Sequence, residues 1–124
     1  MRILVVDDEQ DVKTLFLQSF RREIREGLFD FFFCFSGEEA LDFIKNPEHQ
    51  SMLVLSDINM PGMTGIEMLI KINTEIPPPP PIVMMITAYT DKDNYHQAMD
   101  NGAHFVFNKP LDFHALKEKL IELQ

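Results

Sequence analysis

The chain has 124 residues, the length of one ordinary domain, and its 45% apolar and 25% charged content sets it among soluble globular proteins rather than disordered or fibrous ones. Eleven Lys and Arg stand against 20 Asp and Glu, and the resulting charge of −9 repels phosphate backbones and anionic membranes, which argues against nucleic-acid binding by this chain alone. Cys34 is the one cysteine and excludes an intrachain disulfide framework, while no apolar run approaches the roughly 20 residues of a membrane span and no signal-peptide core opens the sequence. A single domain over residues 1–124, in the cytoplasm and off the membrane, is the expectation.

Along the chain, Ile3 to Val6 is a β-branched and aliphatic run that stops at Asp7-Asp8-Glu9, after which Val12, Leu15, Phe16, Phe20 and Ile24 recur at helical spacing. Phe31 to Phe35 reads as a second strand, followed by Ser36-Gly37-Glu38-Glu39 as a capping box for a helix that turns Ala40, Leu41 and Ile44 inward. Met52 to Leu55 is a third strand ending at Ser56-Asp57; Pro61-Gly62 marks a turn, and Thr64-x-x-Glu67 caps a helix toward Ile76. The prolines from Pro77 to Pro81 favour a stiff extended link, with docking to a proline-recognising partner as the other reading. Ile82 to Ile86 then runs to Thr87-Ala88, and a short helix follows with Tyr95, Ala98 and Met99 on one side. Phe105 to Phe107 leads to Lys109-Pro110, and Asp112 caps a last helix whose Phe113, Leu116, Leu120 and Leu123 share a face. Five strands alternating with five helices, the strands apolar on both faces, predict an α/β fold: a parallel sheet covered by helices on both sides.

Ligands of such sheets bind beyond the carboxyl ends of the strands, near the point where strand order reverses. Asp7 and Asp8, Asp57, Thr87 and Lys109 each stand at the carboxyl end of an apolar run, so three carboxylates, a hydroxyl and an ammonium are expected at one end of the sheet. Carboxylates crowded in this way need a compensating cation, and an oxygen-only ligand set suits Mg²⁺, which commonly pairs one or two carboxylates with a phosphate. In a phosphoryl site Asp57 serves as nucleophile, Lys109 screens charge, the Thr87 hydroxyl donates to a phosphoryl oxygen, and Ala88 leaves room beside it. Neither a Walker loop, a Gly-x-Gly-x-x-Gly turn nor zinc-ligand spacing is present.

Four motifs together resemble the receiver domain of two-component response regulators over nearly the whole chain: Ile-Leu-Val-Val-Asp-Asp-Glu at 3–9, Ser-Asp-Ile-Asn-Met-Pro-Gly-Met-Thr-Gly at 56–65, Ile-Thr-Ala at 86–88 and Asn-Lys-Pro at 108–110. The resemblance implies a five-stranded (βα)5 flavodoxin-like fold and a phosphoryl transfer to Asp57 from a phosphohistidine of a sensor histidine kinase or histidine phosphotransfer protein. It also implies that Asp8, Asp57 and the Asn59 carbonyl ligate Mg²⁺, that Asp7 acts mostly through water, that Lys109 pairs with the phosphoryl group, that the bond before Pro110 is cis, and that Thr87 moves when the domain switches on. An effector domain or partner protein, and phosphorylation-dependent dimerisation, follow as further expectations. The family usually carries Tyr or Phe three residues before the motif lysine, where this chain has Val106; a changed output surface with phosphorylation intact and a weakened switch are the two readings. Asn59 and Tyr89 occupy the positions that overlie the path of attacking water, and the Tyr89 ring is expected to slow loss of the phosphoryl group. Two rivals are an aspartyl-phosphate phosphohydrolase of the haloacid-dehalogenase kind, whose Asp-x-Asp pattern after the first strand is missing here, and a degenerate receiver that only binds a partner.

Overall fold

The computed structural model describes residues 1–49, 52–88 and 90–124. The five apolar runs become strands β1 (Arg2–Val6), β2 (Asp30–Cys34), β3 (Leu53–Asp57), β4 (Val83–Ala88) and β5 (Phe105–Lys109), all parallel, in the order β2-β1-β3-β4-β5. Helices α1 (Asp11–Ser19), α2 (Arg21–Arg25), α3 (Gly37–Lys45), α4 (Gly65–Glu75), α5 (Lys92–Asp100) and α6 (Phe113–Glu122) connect them, with a 3₁₀ turn at Pro47–His49. Because the chain steps from β1 outward to β2 and then crosses to β3 on the other side, strand order reverses between β1 and β3. The crevice expected at such a reversal lies where Asp7 and Asp57 leave the sheet.

Side chains alternate across the sheet and feed two cores. Ile3, Val5, Leu53, Leu55, Met84, Ile86 and Phe107 pack with Phe16 and Phe20 of the first helical segment and with Leu116 and Leu120 of α6. Leu4, Val6, Val54, Val83, Met85 and Val106 pack on the other face with Ala40, Leu41 and Ile44 of α3, Met68, Leu69 and Ile72 of α4, and Ala98 of α5. β2 is an edge strand, yet its rings turn inward: Phe31 and Phe33 join the first core, and Phe32 packs against the second.

Three local expectations change. The first predicted helix is two, because the backbone at Phe20 leaves helical geometry (φ −113°, ψ 23°) as its ring packs against Phe29 and Phe31; six α-helices result where five were expected. Leu15, read at helical spacing with Phe16 and Phe20, and Tyr95 and Met99, read on one side with Ala98, are 50%, 44% and 40% exposed, so α5 buries little besides Ala98. The proline run bends at Pro78 and Pro79, with a cis bond between them, instead of running straight.

The helix starts follow from their caps. Thr64 Oγ1 accepts the Glu67 N–H and the Glu67 carboxylate accepts the Thr64 N–H, a reciprocal pair that satisfies two donors left free by the first turn. Asp112 Oδ1 accepts from the N–H groups of His114 and Ala115. At α3 the expected box is displaced: Ser36 Oγ accepts the Glu39 N–H, but the Glu39 carboxylate reaches Phe35 N–H. No helix among the described residues is long and apolar enough to cross a membrane.

Candidate functional site

Asp57 is the last residue of β3 and only 3% exposed. An ionised carboxylate in such a position needs partners, and it has two: Lys109 Nζ lies 2.8 Å from Oδ2, and the Asn59 N–H donates to Oδ1 at 3.1 Å. Lys109 closes β5 two places along the sheet, so its ammonium comes back across the ends of β4 and β3 to reach Asp57. Burial alone would lower the Lys109 pKa. The hydrogen bond and charge of Asp57, with the charges of Asp7 and Glu9, outweigh that and raise it.

β1 delivers the remaining acids. Its alignment beside β3 brings carboxylate oxygens of Asp7, Asp8 and Asp57 within 4.8 Å of one another. Asp7 is half-buried, and burial pushes its carboxyl up to about 6; the Glu9 N–H on its Oδ1 (2.9 Å) and the Lys109 charge oppose this rise, whereas Asp57 and Asp8 add to it. Three acids thus meet one ammonium. All the offered atoms are oxygens in a partly wet cleft, a donor set that fits a hard cation such as Mg²⁺.

Thr87, on β4 beside Asp57's neighbour Ile86, is 1% exposed, and its Oγ1 is a buried side-chain atom without a hydrogen-bond partner among the described residues. Buried hydroxyls are nearly always satisfied, so an unpaired one beside the acids stands out. Ala88, half-buried, ends the same strand. Asn59 is exposed beside the acids, and its side-chain oxygen lies 3.5 Å from Asn94 Nδ2 on α5. The Lys109–Pro110 bond is cis. Val106 is buried against the second core while Phe107 faces the first, so no aromatic side chain of β5 stands where Val106 does. Tyr89 lies outside the described residues.

Gly65, Glu9 and Glu38 stand within segments read from the sequence but were given no part in the site there. A Cβ on Gly65 would sit 2.5 Å from the Asp57 carbonyl oxygen, so only glycine lets α4 start this close to the strand end. Its place in a Thr-Gly pair after a Pro-Gly turn was the available signal. Glu9 adds a backbone donor and a charge to the site, and neither has a sequence pattern of its own.

A parallel α/β sheet that gathers carboxylates, a lysine and an orphaned hydroxyl at its topological switch defines a signalling domain of the phosphoacceptor class. The response regulator receiver domain family matches residues 3–121, and the chain belongs to that family; it is a receiver domain of a two-component system. It is similar to the sporulation initiation phosphotransferase F of Bacillus subtilis (strain 168), 30% identical over 117 residues that span 94% of this chain and 88% of that protein. It also resembles a cyclic di-GMP phosphodiesterase of Thermotoga maritima, 26% identical over 97% of this chain but only 30% of that protein, so relatives of this domain occur joined to enzymatic outputs. Among solved structures, the signal receiver domain of a Luxo repressor protein from Vibrio parahaemolyticus superposes with a TM-score of 0.81 at 27% identity, covering 98% of this chain and 87% of the other. The phosphohydrolase rival is not favoured, since the family is one of signalling domains and the central carboxylate here leaves β3 rather than β1.

Proposed function

We propose that Asp57 accepts a phosphoryl group from a phosphohistidine and that the resulting acyl phosphate is the signal. The observation that carries this reading is the buried Asp57 carboxylate gripped by Lys109 at 2.8 Å, with Asp7 and Asp8 crowded beside it. An Asp57 oxygen attacks phosphorus as the phosphorus–nitrogen bond to the donor imidazole breaks, the bonding pair staying on nitrogen. Charge then develops on the phosphoryl oxygens rather than on the acid. Lys109 is placed to pair with one of them, and the Thr87 hydroxyl, lacking another partner, donates to a second. Asp8 and Asp57, with the Asn59 carbonyl, would hold Mg²⁺ directly, and Asp7 through water. Bound there, the ion supplies charge neutralisation for the approaching phosphoryl group. Water attack on the acyl phosphate later resets the domain, so its catalysis is confined to its own modification.

A donor protein has to present its histidine over this cleft, and the surface beside it suits docking. A groove of about 590 Å³ borders Asp7 and Lys109 and is lined by Val12, Leu15, Phe16, Pro110, Leu111 and Phe113. Leu15, half-exposed on α1, is the most prominent apolar group at its edge. An exposed apolar surface flush with a charged site fits a sensor kinase or histidine phosphotransfer protein better than a small-molecule donor.

The test is labelling with acetyl phosphate or beryllofluoride. Mg²⁺-dependent modification of the wild type, lost in Asp57→Ala, is the expected result. Labelling that survives in Asp57→Ala overturns the assignment, and a wild type that takes no label in Mg²⁺ restores the binding-only receiver.

A further inference from the structure

We infer that Glu38 is a positioning residue for the phosphoacceptor site: a strut from α3 that fixes the loop carrying Asn59. This inference rests on the reading of Asp57 as a Mg²⁺-dependent phosphoacceptor. The segment from Ile58 to Thr64 must leave β3, present the Asn59 N–H to Asp57 Oδ1, and turn back into α4. At its base, Gly65 N–H donates to the Ile58 carbonyl at 2.8 Å. Its outer limb is held from elsewhere. Glu38 Oε1, 25 residues back in sequence, accepts the Met63 N–H at 2.9 Å.

The neighbouring residues are shaped around that bond. Gly62 has φ +74°, which turns the chain so that the next N–H faces α3, and a Cβ on Gly62 would point at the Glu38 carboxylate, 3.5 Å from Oε1. Met63 then lays its side chain over Gly37, where an added Cβ would lie 3.1 Å from its Cβ, Cγ and Sδ. A charged acceptor on a backbone N–H and a side chain seated on a glycine together pin one loop to one helix. The limb that they fix leads directly to Asn59. A loop held in place meets an incoming cation without first being ordered, whereas a loose one spends part of the binding energy on ordering.

The Met63 amide should therefore exchange slowly in the wild type and quickly in Glu38→Ala. Mg²⁺ dissociation, followed by NMR titration, should weaken about three- to tenfold in Glu38→Ala and return to within about twofold of wild type in Glu38→Gln, which keeps an oxygen acceptor without the charge. Unchanged Mg²⁺ affinity in Glu38→Ala overturns the strut, as does equal weakening in Ala and Gln, which would be a simple effect of charge. A wild type that neither binds Mg²⁺ nor takes label fails at Asp57 instead, and the strut's role falls with it. Glu38 lies on the surface, and Met63 exchange in the wild type tests the bond without any variant.

Discussion

The two faces of the sheet are built from different materials. One is aromatic: Phe16 contacts the rings of Phe20, Phe31, Phe33 and Phe113 within 6.3 Å, mostly edge to face, and the network continues to Phe29. The other is aliphatic and rich in methionine, with Met52, Met60, Met68 and Met85 among Ile44, Leu69 and Ile72. Strand alternation assigns the chemistry to these faces in the same way. Asp57 follows Leu53 and Leu55 in parity, and Lys109 follows Phe107, so both belong to the aromatic side; Thr87 follows Val83 and Met85 and joins Val106 on the methionine side. The groups that would receive a phosphoryl group thus stand over interlocked rings of fixed geometry. The hydroxyl that would respond to it lies on the face that mixes adaptable methionines with its aliphatic residues and is covered in part by α5, a helix that buries little besides Ala98. Reception on a stiff face and response on a compliant one is a division that a single sheet provides.

The largest expected effect breaks the stiff side. Phe16→Ala removes a ring that is 1% exposed at the centre of the aromatic network and should cost about 3–5 kcal/mol in urea or guanidinium unfolding. Met68→Leu, equally buried on the opposite face, should cost less than about 1.5 kcal/mol. A cost for Met68→Leu well above that figure would mean that the methionine side does not repack as readily as its side chains allow.

Val106→Tyr sharpens the comparison from the compliant side. Val106 is 8% exposed, so a tyrosine overfills its site and should lower stability by about 1–3 kcal/mol while Asp57 labelling proceeds as in wild type. Coupling between phosphorylation and partner binding or dimerisation should change, because the ring would stand on the face of the sheet that Thr87 shares by strand alternation. Identical coupling in the two proteins would mean that Val106 is neutral to the switch.

Asp7 supplies the pH dependence. Its folded pKa of about 6 lies above the ordinary carboxylate value of 3.8, so the folded chain holds its proton more tightly than the unfolded chain does. The stability that this proton contributes is present below about pH 4 and is lost as pH rises to about 6. Without divalent cation, Asp7→Asn should therefore raise the melting midpoint at pH 7 by a few degrees and leave it nearly unchanged at pH 4. Since Mg²⁺ needs the ionised acid, its stabilisation of the wild type should fade as pH drops below about 6. Calorimetry with Mg²⁺ and with EDTA across that range checks both signs.

Much of this was legible in the residue order, for a physical reason. Parallel strands buried on both faces are apolar along most of their length, so their carboxyl ends are marked where polar residues resume, at Asp7, at Ser56-Asp57, at Thr87 and at Asn108-Lys109. The helices were less legible. Helical spacing identifies a face without saying how wide a stripe is covered, and so Leu15, Tyr95 and Met99 were grouped with residues that are buried although each is about half-exposed. The break at Phe20 arises from ring packing against β2 and its approach, which no local pattern encodes. The Glu38 contact joins a helix to a loop 25 residues further along through a single carboxylate, and nothing in the local sequence separates Glu38 from Glu39 and Asp42 of the same helix.

Leu15→Asp tests the docking side of the aromatic face with the smallest change to the fold, since Leu15 is 50% exposed and touches the groove rather than the core. Stability should move by less than about 0.5 kcal/mol. A carboxylate in the apolar groove must be desolvated when a donor protein covers it, so transfer from a phosphorylated histidine protein should slow by about tenfold or more. Acetyl phosphate is small enough to enter the cleft without covering Leu15, and its labelling rate should stay within about twofold of wild type. The ratio of the two rates separates surface from chemistry. A parallel fall would mean that the substitution disturbs the acids themselves, and no change in either would move the docking surface away from α1.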